Sequence, residues 1–147
     1  MDKILLISAI YHGFIHFLII WYQIQFKIFS FYNLILLFGV ISSILNHGMT
    51  NNIIKIIDRL IMLIGAFYDY ILILYYLFTN YHNNKQIIIL IILLETCSIL
   101  LYFASYQSRF TKPPEMLFNI IPNYYYYHIL SHSCLTINHI LIMLILQ

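Results

Sequence analysis

Five apolar stretches, each about as long as a bilayer is thick, occupy most of this chain. A helix rises 1.5 Å per residue, so ~20 apolar residues cross the ~30 Å hydrocarbon layer. The stretches run over about 4–21, 28–46, 53–78, 86–104 and 123–147. In lipid a spanning segment must pair its own backbone groups, so these Ile-rich runs are helices despite their strand propensity. The expected fold is all-α: a polytopic transmembrane bundle of about five helices, in one domain, with no repeat and no linker.

Composition agrees. Of 147 residues 63% are hydrophobic and 8% charged, whereas a soluble domain carries about 25% charged residues. Seven Lys/Arg and five Asp/Glu cannot supply a polar surface. A formal net charge of +2 gives no basic field for nucleic acid. The abundance of Ile, Tyr, Asn and Phe is also what an AT-rich genome encodes, such as that of a large DNA virus or a parasite. Cys97 and Cys134 lie inside apolar runs and form neither a disulfide framework nor a zinc knuckle. The first run contains His12 and His16, continues to Trp21 and lacks a clear cleavage site, so it reads as a retained membrane helix rather than a signal peptide.

The connections expected at 22–27, 48–52 and 79–85 are short. The one at 105–122 is longer. There Pro113-Pro114 stops any helix, MLFNII is expected to lie in the interface, and Pro122 suits the first turn of the last helix. Tyr124 to Tyr127 fall where an aromatic belt belongs, and Gly65 is a candidate close helix contact. Five spans put the N-terminus, the 48–52 loop and the 105–122 loop on one face. That face carries Lys3, Lys55, Arg59, Arg109 and Lys112; the other carries Lys27 and Lys85. The basic excess makes the first face cytoplasmic.

Ionisable groups at membrane depth cost several kcal/mol, so each is a candidate for function. They are His12, His16, His47, Asp58, Asp69, Glu95, His128, His132 and His139; His82 falls in a loop and is expected to be solvated. Counting residues along the helices sorts them. His47 ends the second helix at the first face, and Ser43 is one turn deeper at i−4. Asp58 is one to two turns into the third helix from that face, and His128 is as far into the last, with His132 at i+4. These five residues therefore reach one depth. Three imidazoles suffice for a catalytic zinc with its fourth position left to water, whose pKa such a zinc lowers to ~7. Asp58 then suits the proton acceptor, and Ser43, preferred over Ser42 for its i−4 spacing, suits support of the reacting oxygen. The competing reading makes Asp58 an ion-pair partner of Lys55 or Arg59. His12, His16 and His139 read as packing or cavity-lining groups, and Asp69 and Glu95 as protonated or paired with Tyr hydroxyls or with His12 and His16.

Ser43-x3-His47-x10-Asp58, followed by His128-x3-His132, resembles the zinc site of the alkaline ceramidases. The adiponectin/progestin-type receptors share its Ser, His, Asp and His-x3-His elements. The resemblance covers SSILNHGMTNNIIKIIDR and HILSH, less than a fifth of the chain. It implies Zn2+ bound by His47, His128 and His132, with Asp58 and Ser43 in catalysis. It also implies a lipid amide or ester substrate that enters laterally from the membrane. Two departures stand against it: those proteins have seven helices, and the acidic calcium-binding N-terminal segment of the ceramidases has no counterpart here. Loss of two helices between the Asp58 helix and the His-pair helix keeps the two parallel, so the site remains buildable. The alternatives are a receptor-like or structural multi-pass protein without turnover, and a small channel without metal.

Overall fold

The computed structural model describes residues 3–25, 30–79, 81–110, 116–117 and 121–145, and of 81–84, 116–117 and 121 the backbone alone. Five helices dominate: α1 (Lys3–Gln25), α2 (Phe31–Gly48), α3 (Asn52–Thr79), α4 (Tyr81–Ser108) and α5 (Asn123–Ile145). All five are long and apolar enough to cross a membrane. Two-residue strands β1 (Met116–Leu117) and β2 (Ile121–Pro122) pair antiparallel just before α5.

The distribution of side chains is inverted relative to a soluble domain. Phe78, Leu63, Ile7 and Phe67 point outward, while more polar than apolar residues are buried among the described ones. Lipid tails solvate the apolar exterior as well as a core would, so helices associate through small-residue packing and hydrogen bonds instead. The α4–α5 pair, the most extensive in the bundle, shows this. Ser98 Oγ donates to the Ser131 carbonyl at 3.1 Å, and Ser131 Oγ donates to the Ser98 carbonyl at 2.9 Å. A turn or two nearer the α4 C-terminus, Ser105 Oγ donates to the Tyr124 carbonyl at 2.8 Å.

Helix ends depart from the expected bounds. The segment expected as a loop at 79–85 is helical from Tyr81, because it holds no Gly or Pro to break a helix; His82 thus lies in the first turn of α4. Pro122 pairs across from Met116 and precedes α5 rather than entering its first turn. Its missing N–H suits that boundary as well as it would suit the first helical position. Of MLFNII, residues 116–117 and 121 form this small hairpin; 118–120 lie outside the described residues, as do Lys27 and Lys112 to Glu115.

Helices α1, α2 and α3 pack in sequence order, and α5 returns to contact α1, which closes the bundle. A cavity at one end is lined by Leu5 from the start of α1, His47 from the end of α2, Lys55 from the start of α3, Arg109 just past α4 and His128 from the start of α5. The ends that five alternating spans should bring together do meet.

The tight helix contact is at Gly13 rather than Gly65. A methyl at Gly13 would sit 2.7 Å from Val40 Cγ1 and 3.3 Å from Ile44 Cδ1, whereas one at Gly65 would meet Ile35 Cγ2 at an ordinary 3.8 Å. Val40 is β-branched and stiff, so it cannot swing aside cheaply. Gly13→Ala should therefore destabilise the bundle by about 1–3 kcal/mol through overpacking. Gly65→Ala should be neutral or slightly stabilising through helix propensity. Unfolding of the purified protein in detergent, followed by helical circular dichroism, checks the pair; equal effects would show that α1 and α2 do not meet at Gly13.

Candidate metal centre

His47, His128 and His132 converge as their spacing predicts. His128 and His132 stand one turn apart on α5, so both rings project from one face. The last turn of α2 brings His47 to the same point. His128 Nε2 lies 3.4 Å from His47 Nε2 and 3.1 Å from His132 Nε2. One ligand atom from each of the three lies within 4.8 Å of the others, so the cluster can hold a metal ion.

Donor chemistry tests the fit further. An imidazole nitrogen has one in-plane site, either an N–H or a lone pair. His128 Nε2 therefore cannot hydrogen-bond well to both neighbours at once. A cation at the centre accepts one lone pair from each ring and satisfies all three. Tetrahedral zinc with Zn–N bonds of ~2.1 Å places its nitrogens ~3.4 Å apart, close to the two spacings that His128 makes.

Asp58 is buried, 3% exposed, at the α2–α3 contact. Its Oδ1 accepts a hydrogen bond from Ser42 Oγ at 2.9 Å, and its Oδ2 accepts one from Asn46 Nδ2 at 2.7 Å. Asn46 immediately precedes His47, so Asp58 holds the end of α2 that carries the histidine. Among the described residues no Lys or Arg lies within ion-pair distance of it; the one pair found is His139 with Asp69. The competing reading, an ion pair of Asp58 with Lys55 or Arg59, is thus not formed. Ser42, rather than Ser43, bonds Asp58. Ser43 instead lines a largely apolar cavity of about 200 Å³ between the helices, which His132 also lines. Asn46 is the residue that spacing alone missed, and Ser42 the one it set aside in favour of Ser43. Asn46 had one usable signal, an amide next to a candidate ligand at a helix end.

The deeper ionisable groups line that same cavity and are all paired. His12 stacks against His132 with ring centroids 5.8 Å apart, and its Nδ1 is 3.1 Å from Thr136 Oγ1. His16 Nδ1 donates to the His12 carbonyl at 2.8 Å, and His16 Nε2 lies 2.9 Å from His139 Nδ1. His139 Nε2 is 3.2 Å from Asp69 Oδ2, and Tyr32 donates its hydroxyl to Asp69 Oδ1 at 2.6 Å. Asn138 Nδ2 donates to Glu95 Oε2 at 2.6 Å. Gln23 and Asn33 bond to each other toward the far end. Asp69 and Glu95 thus find the partners that burial demands: Asp69 through a Tyr hydroxyl as expected, but through His139 rather than His12 or His16, and Glu95 through an amide. His12, His16 and His139 line the cavity rather than joining the three-histidine cluster.

Cys97 and Cys134 are both free, with their sulfurs 4.0 Å apart across the α4–α5 contact.

No family model, curated protein or solved structure matches this chain.

Purified full-length protein loaded with zinc and then desalted should retain about one ion per chain, since three convergent imidazoles are enough. His47→Ala, His128→Ala and His132→Ala should each lose most of it, while His12→Ala and His139→Ala keep it. Metal content by plasma mass spectrometry reads this directly. Retention in all three cluster variants would place the metal elsewhere.

Proposed function

We propose that the chain is an integral, multi-pass membrane enzyme: a ceramidase-like, zinc-dependent hydrolase that cleaves an amide or ester bond of a lipid. The observation that carries the reading is the convergence of His47, His128 and His132 on one point at the edge of a cavity inside the bundle. Bound zinc would supply a Lewis acid and a water acidic enough to react at neutral pH.

The chain's own residues supply the rest. Asp58 accepts the proton that the attacking water gives up, and returns it to the departing amine or alcohol as the acyl bond breaks. Ser42 and Asn46 fix its carboxylate. Ser43, in the cavity wall beside His132, donates to the carbonyl oxygen as charge builds there. Ile35, Leu36, Val40, Ile61 and Leu135 line the same space and suit an acyl chain. Access is lateral, from the bilayer. The basic excess at the cluster's end of the bundle supports a cytoplasmic position for it.

A second reading, a receptor-like protein with the same centre and no turnover, draws on one observation. Both oxygens of Asp58 already accept hydrogen bonds from the protein. A carboxylate has further lone pairs to offer, so the catalytic reading stands first.

Zinc-loaded protein should hydrolyse at least one member of a panel of ceramides, N-acyl lipids and glycerolipids. Asp58→Asn should keep its zinc but lose ~10²-fold or more in turnover. Ser43→Ala should lose ~10–10³-fold. Hydrolysis that persists in both His128→Ala and Asp58→Asn would show that the activity lies elsewhere. Bound zinc with no turnover across the panel would favour the receptor-like reading.

A further inference from the structure

Two cavities of opposite character meet at the histidine cluster. The first, inside the bundle, is the largely apolar one with His132 in its wall. The second, about 460 Å³, opens at the end of the bundle and has His47 and His128 in its wall. Tyr102 lines both, so they adjoin. The three ligand candidates thus stand at the junction of an apolar space and a polar one.

The polar cavity is cationic. Lys55 and Arg59 line it from α3, where their i, i+4 spacing puts them on one face. Arg109 lines it from just past the end of α4 and is held with its guanidinium carbon 5.3 Å from the centre of the Tyr124 ring. Asn46, Thr50 and Ser105 add neutral hydrogen-bonding groups. Among the described residues no carboxylate lies within ion-pair distance of any of the three cations. Basic residues that served topology alone would be scattered around the rim. Here two from α3 and one from just past α4 converge on one cavity shared with the histidines, and two of them carry the planar fork that matches a phosphate.

We infer that the polar cavity is an anion site that takes a phosphate group, and that the lipid bound by this protein carries such a head group. An amphiphile then lies across the junction, with its phosphate among Lys55, Arg59 and Arg109 and its acyl chain in the apolar cavity. Its ester or amide bond lies at the histidines. The substrate class in this account rests on the hydrolase reading; the anion site itself does not.

The experiment keeps the two apart. Full-length protein in nanodiscs of neutral lipid, treated with chelator, is titrated with dihexanoyl phosphatidic acid, dihexanoylglycerol and inorganic phosphate. Phosphatidic acid should bind at least ~10-fold more tightly than the diacylglycerol, since charge-assisted contacts are the stronger ones. The Lys55→Gln/Arg59→Gln/Arg109→Gln triple variant should lose that preference. Arg59→Lys/Arg109→Lys, which keeps the charge, should retain most of it and guards against misfolding. Inorganic phosphate that displaces the lipid only at far higher concentration assigns the site to a lipid head group; equal affinity assigns it to soluble phosphate. Equal binding of phosphatidic acid and diacylglycerol, or a preference unchanged in the triple variant, overturns the anion site. No such preference in the wild type, alongside intact zinc and turnover, would overturn the anion site alone. Absent turnover with the preference intact would overturn the hydrolase alone.

Discussion

A polar side chain carried into a bilayer has no water to fall back on, so it must find its partner on a neighbouring helix. In this bundle that requirement ties all five helices together. Tyr32 on α2 bonds Asp69 on α3, Asp69 pairs with His139 on α5, and His139 meets His16 on α1. Asn138 on α5 reaches Glu95 on α4. Each such bond is worth only about 0.6–2 kcal/mol, but together they fix which face of every helix turns inward. The rotation that satisfies Asp69 and Glu95 also turns His128 and His132 toward the interior and leaves the aliphatic residues to lipid.

That rotation explains what spacing could and could not read. The five spans followed from length and hydropathy, because the bilayer sets both. Their ends did not, because the helical backbone continues into polar sequence such as that from Tyr81 to Lys85. The convergence of His47, His128 and His132 followed from helix direction and one i, i+4 spacing, neither of which depends on tertiary detail. The choice between Ser42 and Ser43 did depend on it. Adjacent residues on a helix point ~100° apart, so a partner for Asp58 is decided by how α2 is turned against α3. The pairing of His16 with His139 was hidden for a different reason. It requires α1 to lie beside α5, a contact between elements at opposite ends of the sequence. Gly13 gave no signal beyond being a glycine, since its role comes from Val40 on the next helix.

The site and the fold are joined at two places. Asp58 holds Asn46, and through it the turn of α2 that carries His47. His12 stacks on His132, so the deep polar groups brace the cluster from within the bundle. Between them, the imidazoles are held against both the apolar cavity and the cationic one. A polar network that serves only cohesion has no need for three imidazole nitrogens to face one another. Their mutual approach is the feature that makes the cluster able to hold a metal ion.

X-ray absorption at the zinc edge of purified, zinc-loaded protein tests that capacity most directly. Three imidazole nitrogens at about 2.0–2.1 Å and one further light atom are expected, and the zinc edge itself should be largely lost in His132→Ala. A spectrum dominated by oxygen or sulfur ligands, or one identical in the wild type and His132→Ala, would contradict a metal centre built by His47, His128 and His132.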